Sequence, residues 1–172
     1  LKPLEVSDAG EVYELCRGTF REEYHITEER ILESLFEDPD FSAEESKKIV
    51  DEKNGRMIGF IGVKVSHNEQ LYPASAWISI FAVKKEEQGK GYGTMVLNQV
   101  CQSLHKNGIN KIYVGQDFNN FFSGIPDPDE GKEIFFKKNG FTLNRDRHFD
   151  LEADITDNRL IDSFDTSSFD KE

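Results

Sequence analysis

Ala76-Trp77-Ile78-Ser79-Ile80-Phe81-Ala82-Val83 runs into Lys84-Lys85-Glu86-Glu87 and then Gln88-Gly89-Lys90-Gly91-Tyr92-Gly93-Thr94. The first eight residues are almost all apolar, as in a central strand covered on both faces. The four charged residues end that strand. Beyond the glycines, Val96, Leu97, Val100, Cys101 and Leu104 recur at helical spacing as far as Asn107-Gly108, a C-terminal stop. A buried strand, a glycine-rich turn and an amphipathic helix therefore follow one another.

That order carries a chemical implication. The first amides of a helix have no partner within it, and a glycine-rich approach leaves them open to a ligand, so the turn attracts phosphate. Glycine also permits positive φ, while Lys84, Lys85 and Lys90 add local positive charge. Glycines alone would equally suit a turn that binds nothing. The P-loop pattern GxxxxGK[ST] is absent. A dinucleotide-binding turn would place glycine directly after the strand and an acid about 20 residues on. Here four charged residues intervene, and Asn110-Lys111-Ile112-Tyr113 offers no acid.

Working outward, a short strand over Leu1 to Leu4 precedes a helix capped by Ser7, with Val12, Leu15, Cys16, Thr19 and Phe20 on one face. A second helix starts at Thr27, carries Ile31, Leu32, Leu35 and Phe36, and stops before Pro39. From Lys48 the period becomes two, and Lys53-Asn54-Gly55-Arg56 turns the chain into Met57 to Val65, giving an antiparallel hairpin. After the central helix come a strand at Lys111 to Gly115, a short helix around Glu130 to Lys138, and strands near Phe141 to Leu143 and His148 to Ala153. This order predicts an α/β (α+β) fold with a mixed, mostly antiparallel sheet flanked by about four helices.

The chain has the length of one domain and a formal charge of −12, which excludes general affinity for nucleic acid or anionic membranes. No apolar run is long enough to span a bilayer and no signal peptide is visible, so a cytoplasmic protein is expected. The absent initiator Met suggests a trimmed chain. Cys16, Cys101 and the four histidines lack metal spacing, so no metal site is expected. From Asp150 onward eight acids face two bases, and 154–172 is expected to be an acidic tail or linker after a domain spanning 1–153.

Gln88, Gly91 and Gly93 fill the three fixed positions of the [RQ]xxGx[GA] signature of the GNAT acetyltransferase superfamily, in the same strand-to-helix setting. Ile80-Phe81-Ala82-Val83 and Glu87 also resemble that family. So do Asn54-Gly55-Arg56-Met57-Ile58-Gly59-Phe60 and Phe135-Phe136-Lys137-Lys138-Asn139-Gly140-Phe141. The resemblance implies N-acetyl transfer from acetyl-CoA to a primary amine by direct attack in a ternary complex. It assigns pyrophosphate to Gln88, Gly89, Lys90, Gly91, Tyr92, Gly93 and Thr94, and pantetheine to the strand at Phe81, Ala82 and Val83. Asn119 and Phe136 are further expected beside the cofactor. The Asn119 to Pro126 loop resembles one found in a GNAT branch whose domains are often paired, which leaves open a homodimer or a second such domain.

The sequence also departs from the family. Trp77 stands where many members carry a glutamate base, and Phe136 where a tyrosine often protonates the thiolate. Asp117, just past a strand end, is the candidate base; an acid that caps the following loop is the alternative reading. Without the usual pair, a catalytically silent acyl-CoA-binding module is the competing function. The acceptor is not legible. Overall acidity favours a cationic amine only through bulk charge.

Overall fold

The computed structural model describes residues 1–125 and 130–143. Five described strands form one sheet in the order β1 (Lys2–Pro3), β2 (Lys47–Val50), β3 (Met57–Val65), β4 (Ser75–Val83) and β5 (Lys111–Val114). The first four are antiparallel neighbours, and β5 runs parallel to β4. Helices α1 (Ala9–Thr19) and α2 (Glu28–Ile31, continued as a π-helical turn over Leu32–Phe36) precede β2. Helix α3 (Tyr92–Lys106) joins β4 to β5, and α4 (Glu130–Lys138) follows β5. This is the mixed sheet with flanking helices that the order of elements predicts.

The sheet separates two cores. On one face Leu4, Val12, Leu15, Cys16, Ile31 and Leu35 pack on Phe60, Ile80 and Ala82. On the other, Ile61, Val63, Ile78 and Val83 meet Val96, Leu97, Val100 and Leu104 of α3. Both β3 and β4 are buried almost throughout, which explains why β4 reads as a continuous apolar run. The α2 turn fits closely onto β3: a Cβ on Gly62 would lie 2.8 Å from Leu35 Cδ1, so only glycine lets the two approach.

Four local expectations need correction or fall outside the described residues. Ser7 is not the cap of α1; it lies in a 3₁₀ turn over Val6–Asp8, where Asp8 Oδ2 accepts from Glu5 N–H at 2.9 Å and Asp8 occupies the N-cap position. The 3₁₀ turn moves the helix start one residue on, and Asp8 directs its carboxylate to Glu5 N–H and, at 2.6 Å, to Lys48 Nζ rather than to an α1 amide. Residues 141–143 form no strand; Phe141 N–H bonds back to Phe136 O at 3.0 Å, closing the end of α4 instead. The strand expected at 148–153 and the acidic tail at 154–172 lie outside the described residues. No described helix is long and apolar enough to cross a membrane.

Candidate functional site

Strands β4 and β5 pair from Ser75 with Lys111 to Ile78 with Val114, and Gly115 N–H makes a last bond to Ile78 O at 2.9 Å. There the chain leaves β4. Gly115 and Gln116 take φ of 66° and 65°, and a Cβ on Gly115 would fall 2.4 Å from Phe122 O, where the 116–124 loop crosses back. From Ser79 to Val83, β4 has β3 on one edge and no described strand on the other.

A one-residue bulge sets what that open edge presents. Gly62 pairs with Ile80 but Val63 pairs with Ile78, so Ser79 is the extra residue. The bulge changes the phase of β4. Lys84 N–H bonds to Ile58 O at 2.9 Å, so Ala82 and Ile80, in the same phase, also address β3. The N–H and C=O groups of Phe81 and Val83 therefore point to the open edge. Gln88 Nε2 donates to Val83 O at 2.8 Å, which ties the glycine-rich turn to the strand end.

The turn has the geometry of an anion cradle. Gly89 and Gly91 have φ of 75° and 88°, Gly91 is the N-cap of α3, and a Cβ on either would meet nothing within 4 Å. The space over the turn is open. Met95 N–H is the first α3 amide bonded to the preceding loop, at 3.0 Å to Gly91 O, and those before it are the spare donors of a helix N-terminus. Gly93 has a different role: a Cβ there would lie 3.3 Å from the Phe135 ring of α4 and 3.5 Å from that of Phe81. Lys90 is paired with Glu87 at 3.0 Å, while Lys85 is exposed beside the turn.

Between the diverging strands lies a small cleft of about 50 Å³, open at its mouth. Its described lining draws on both cores. Phe81, Val114 and Ile125 belong to the α3 side and Phe20 and Phe122 to the α1 and α2 side, with Ser79 at the throat. Phe136, 7% exposed, closes the α4 wall, 6.5 Å from Phe81 between ring centroids.

Asp117 sits behind that throat, 4% exposed. Its Oδ1 meets Lys64 Nζ at 2.5 Å, and its Oδ2 accepts from Ser79 Oγ at 3.0 Å. Lys64, 1% exposed, also bonds Asp38 Oδ2 at 2.9 Å and Asn119 O at 3.2 Å. Both oxygens of the candidate base are thus occupied, and it reaches the cleft only through Ser79. Asn119 turns away: its Nδ2 donates to Glu33 O at 3.1 Å and its Oδ1 accepts from Ser34 Oγ at 3.3 Å. With Arg30 donating to Asn120 O and Phe121 O, these bonds fasten the loop to α2. Trp77 is core, 3% exposed and stacked on Tyr113 at 6.1 Å. Sequence reasoning missed Lys64 and Ser79. A lysine inside an otherwise apolar strand was the available signal for the first; nothing marks a bulge residue.

The model of the Acetyltransferase (GNAT) family matches residues 9–123, more than half of the chain, and the chain belongs to that family. It is an acetyltransferase by family, and the family uses acetyl-CoA. Solved structures share the fold at low identity. The ribosomal-protein-S18-alanine N-acetyltransferase of Escherichia coli aligns with a TM-score of 0.64 and 16% identity, over 82% of this chain and 76% of that one. The PaiA N-acetyltransferase of Thermoplasma acidophilum, in complex with coenzyme A, gives 0.64 and 18%, over 85% and 91%. An aminoglycoside acetyltransferase from an uncultured soil metagenomic sample, in complex with sisomicin, gives 0.62 and 17%, over 89% and 95%. No curated protein matches the chain.

Proposed function

We propose that this protein transfers an acetyl group from acetyl-CoA to a primary amine by direct attack within a ternary complex. The observation that carries the reading is the continuity of three features: the open α3 N-terminus, the unpaired edge of β4, and the cleft that begins where that edge meets β5. The residues fit the cofactor. Open space lies over left-handed Gly89 and Gly91, where side chains would otherwise stand. Gln88 to Thr94 would hold the pyrophosphate through main-chain amides, and Phe81 and Val83 would pair with the pantetheine amides. Lys84 and Lys85 favour polyanion approach within an otherwise acidic protein. Bound there, acetyl-CoA supplies the activated acetyl group.

The chain's own contribution is orientation and proton handling. A primary amine of ordinary basicity, with a pKa of about 10.4, arrives protonated and must lose a proton before it attacks. Ser79 Oγ is the polar side chain at the throat, and its proton already points to Asp117 Oδ2. The amine proton therefore passes to Ser79 Oγ as the serine proton passes to Asp117. Asp117 acts through Ser79, and Lys64 holds it in place. Asn119 supports the loop from the α2 side, and Phe136 walls the cleft and offers no proton to a departing thiolate.

A thermal-shift titration tests the reading. A ligand at a hundredfold excess over its Kd stabilises the native state by about 2.7 kcal/mol. Acetyl-CoA should raise the melting temperature with saturation, and free thiol should appear when amines are added. No shift at millimolar acetyl-CoA or CoA would remove the proposal.

A further inference from the structure

Acetylating a protonated amine releases a proton. The ammonium gives up two N–H protons as the C–N bond forms and the C–S bond breaks; the departing thiolate keeps one, and the other has to be taken up elsewhere. In the proposed transfer Ser79 hands that proton to Asp117, which is already ion-paired, with its Oδ1 2.5 Å from Lys64 Nζ. A buried one-to-one pair of lysine and aspartate opposes such a step, because protonating the carboxylate strands the ammonium without a counter-charge.

Asp38 changes that balance. Its Oδ2 accepts from Lys64 Nζ at 2.9 Å, and its Oδ1 accepts from Asp40 N–H at 2.9 Å, which fixes the carboxylate in the turn after α2. Among the described residues, one buried lysine thus faces two carboxylates, a formal charge of −1. A proton arriving on Asp117 takes that charge to zero and leaves Lys64 and Asp38 as a complete pair. Other charged side chains on the elements around the group are engaged or turned outward. Arg30 donates to Asn120 O and Phe121 O, Asp40 Oδ1 meets His67 Nδ1 at 2.8 Å, and Glu33 and Glu37 are exposed.

On the basis of the proposed acetyl transfer, we infer that Asp38, Lys64 and Asp117 form a one-proton store behind the throat, and that Asp38 is the positioning residue that lets a lysine-paired aspartate act as a base. In each turnover Asp117 Oδ2 takes the proton of Ser79 Oγ as Ser79 takes one from the amine. Lys64 stays charged throughout, and Asp38 supplies the counter-charge that Asp117 has given up. After the products leave, the proton returns through Ser79 to water entering the cleft. No bond forms or breaks at Lys64 or Asp38.

Asp38→Asn, which leaves Lys64 and Asp117 as a one-to-one pair, is the test. Thiol release at saturating acetyl-CoA and neutral pH is compared for ethylamine, which arrives protonated, and 2,2,2-trifluoroethylamine, which arrives neutral and whose one surplus proton goes to the thiolate. The variant should lose at least about tenfold in kcat for ethylamine and less than about twofold for trifluoroethylamine, with the acetyl-CoA thermal shift intact. Asp38→Glu, which restores the second carboxylate, should recover most of the ethylamine rate. If Asp38→Asn does not fold, solvent deuterium on the unaltered protein decides, and it should slow ethylamine turnover more than trifluoroethylamine turnover. Equal losses for the two amines, no loss for ethylamine, or equal isotope effects overturn the inference. Failure to bind acetyl-CoA, or no thiol release with either amine, overturns the function on which it rests, and the inference with it.

Discussion

Replacing Lys64 by methionine keeps a long apolar stem inside β3 but removes the ammonium that Asp38 and Asp117 share. Lys64 is 1% exposed and its partners' side chains 9% and 3%, so water cannot take its place without the loop moving. Removing one member of such a buried group costs about 3–5 kcal/mol, because it strands the opposite charge. Set against a typical net stability of about 5–15 kcal/mol, the loss is large. At roughly 2–4 °C per kcal/mol for a chain of this size, the melting temperature should fall by about 10 °C. Urea unfolding followed by circular dichroism at neutral pH measures the deficit. Lys64→Met/Asp117→Asn should recover part of it, with a coupling energy of at least about 1 kcal/mol. A Lys64→Met cost below about 1 kcal/mol, or strictly additive single costs, would refute the argument that this cluster holds the 116–124 loop.

Further outcomes can be checked on the same material. Gly91→Asp should fold with some loss of stability, because φ of 88° strains a side chain even though nothing lies within 4 Å of its Cβ position, yet weaken CoA binding at least about tenfold by placing a carboxylate in the cradle; unchanged affinity in calorimetry would make the glycines only a turn. Ser79→Ala should lower kcat more than it changes acetyl-CoA affinity and flatten the pH–rate profile; a full rate with an unchanged profile would exclude Ser79 and Asp117 from proton transfer. Phe136→Tyr should retain or raise activity by offering the thiolate a proton donor, and its inactivity would show that the ring tip is packed against substrate. Burial pushes the Cys16 thiol up to about 12, so it should react with Ellman's reagent only on unfolding. Because that folded value is raised, the stability linked to the neutral thiol is complete below about pH 8.5 and is lost as pH climbs toward 12; ready labelling of native Cys16 at pH 8 would contradict its burial.

The fold was largely legible because its elements have strong periods and clear stops. The Thr27 cap is present, with Thr27 Oγ1 accepting from Arg30 N–H at 3.1 Å, and the 53–56 turn, the central strand and α4 lie within a residue or two of the positions expected. The glycine-rich turn before α3 was legible for the same reason, and Gly91 stands at its N-cap. What escaped is what depends on contacts distant in sequence. Lys64 stands out in sequence as a lysine in an otherwise apolar strand, but only folding brings Asp38 and Asp117 to it, 26 and 53 residues away. Asn119 reads as a cofactor contact by resemblance, but Ser34 and Glu33, 85 and 86 residues distant, bond its amide. The strand expected at 141–143 failed because Phe141 caps α4 and packs on Phe136 at 5.3 Å, a use of an aromatic that local propensity cannot separate from a strand.

The extra residue at Ser79 means that β4 is written in two phases. Before it, even-numbered side chains such as Ala76 and Ile78 face the α3 core; after it, Ile80 and Ala82 face the α1 core, and Phe81 and Val83 take over the α3 side. Anyone redesigning this strand by simple alternation would disturb both cores with every library. Deleting Ser79 would make Ile78 and Ile80 successive residues on opposite faces and close a regular ladder, so Phe81 and Val83 would still address the open edge while the hydroxyl bonded to Asp117 was lost. One extra residue thus brings a hydroxyl to the throat and lets the strand resume its ladder beyond it.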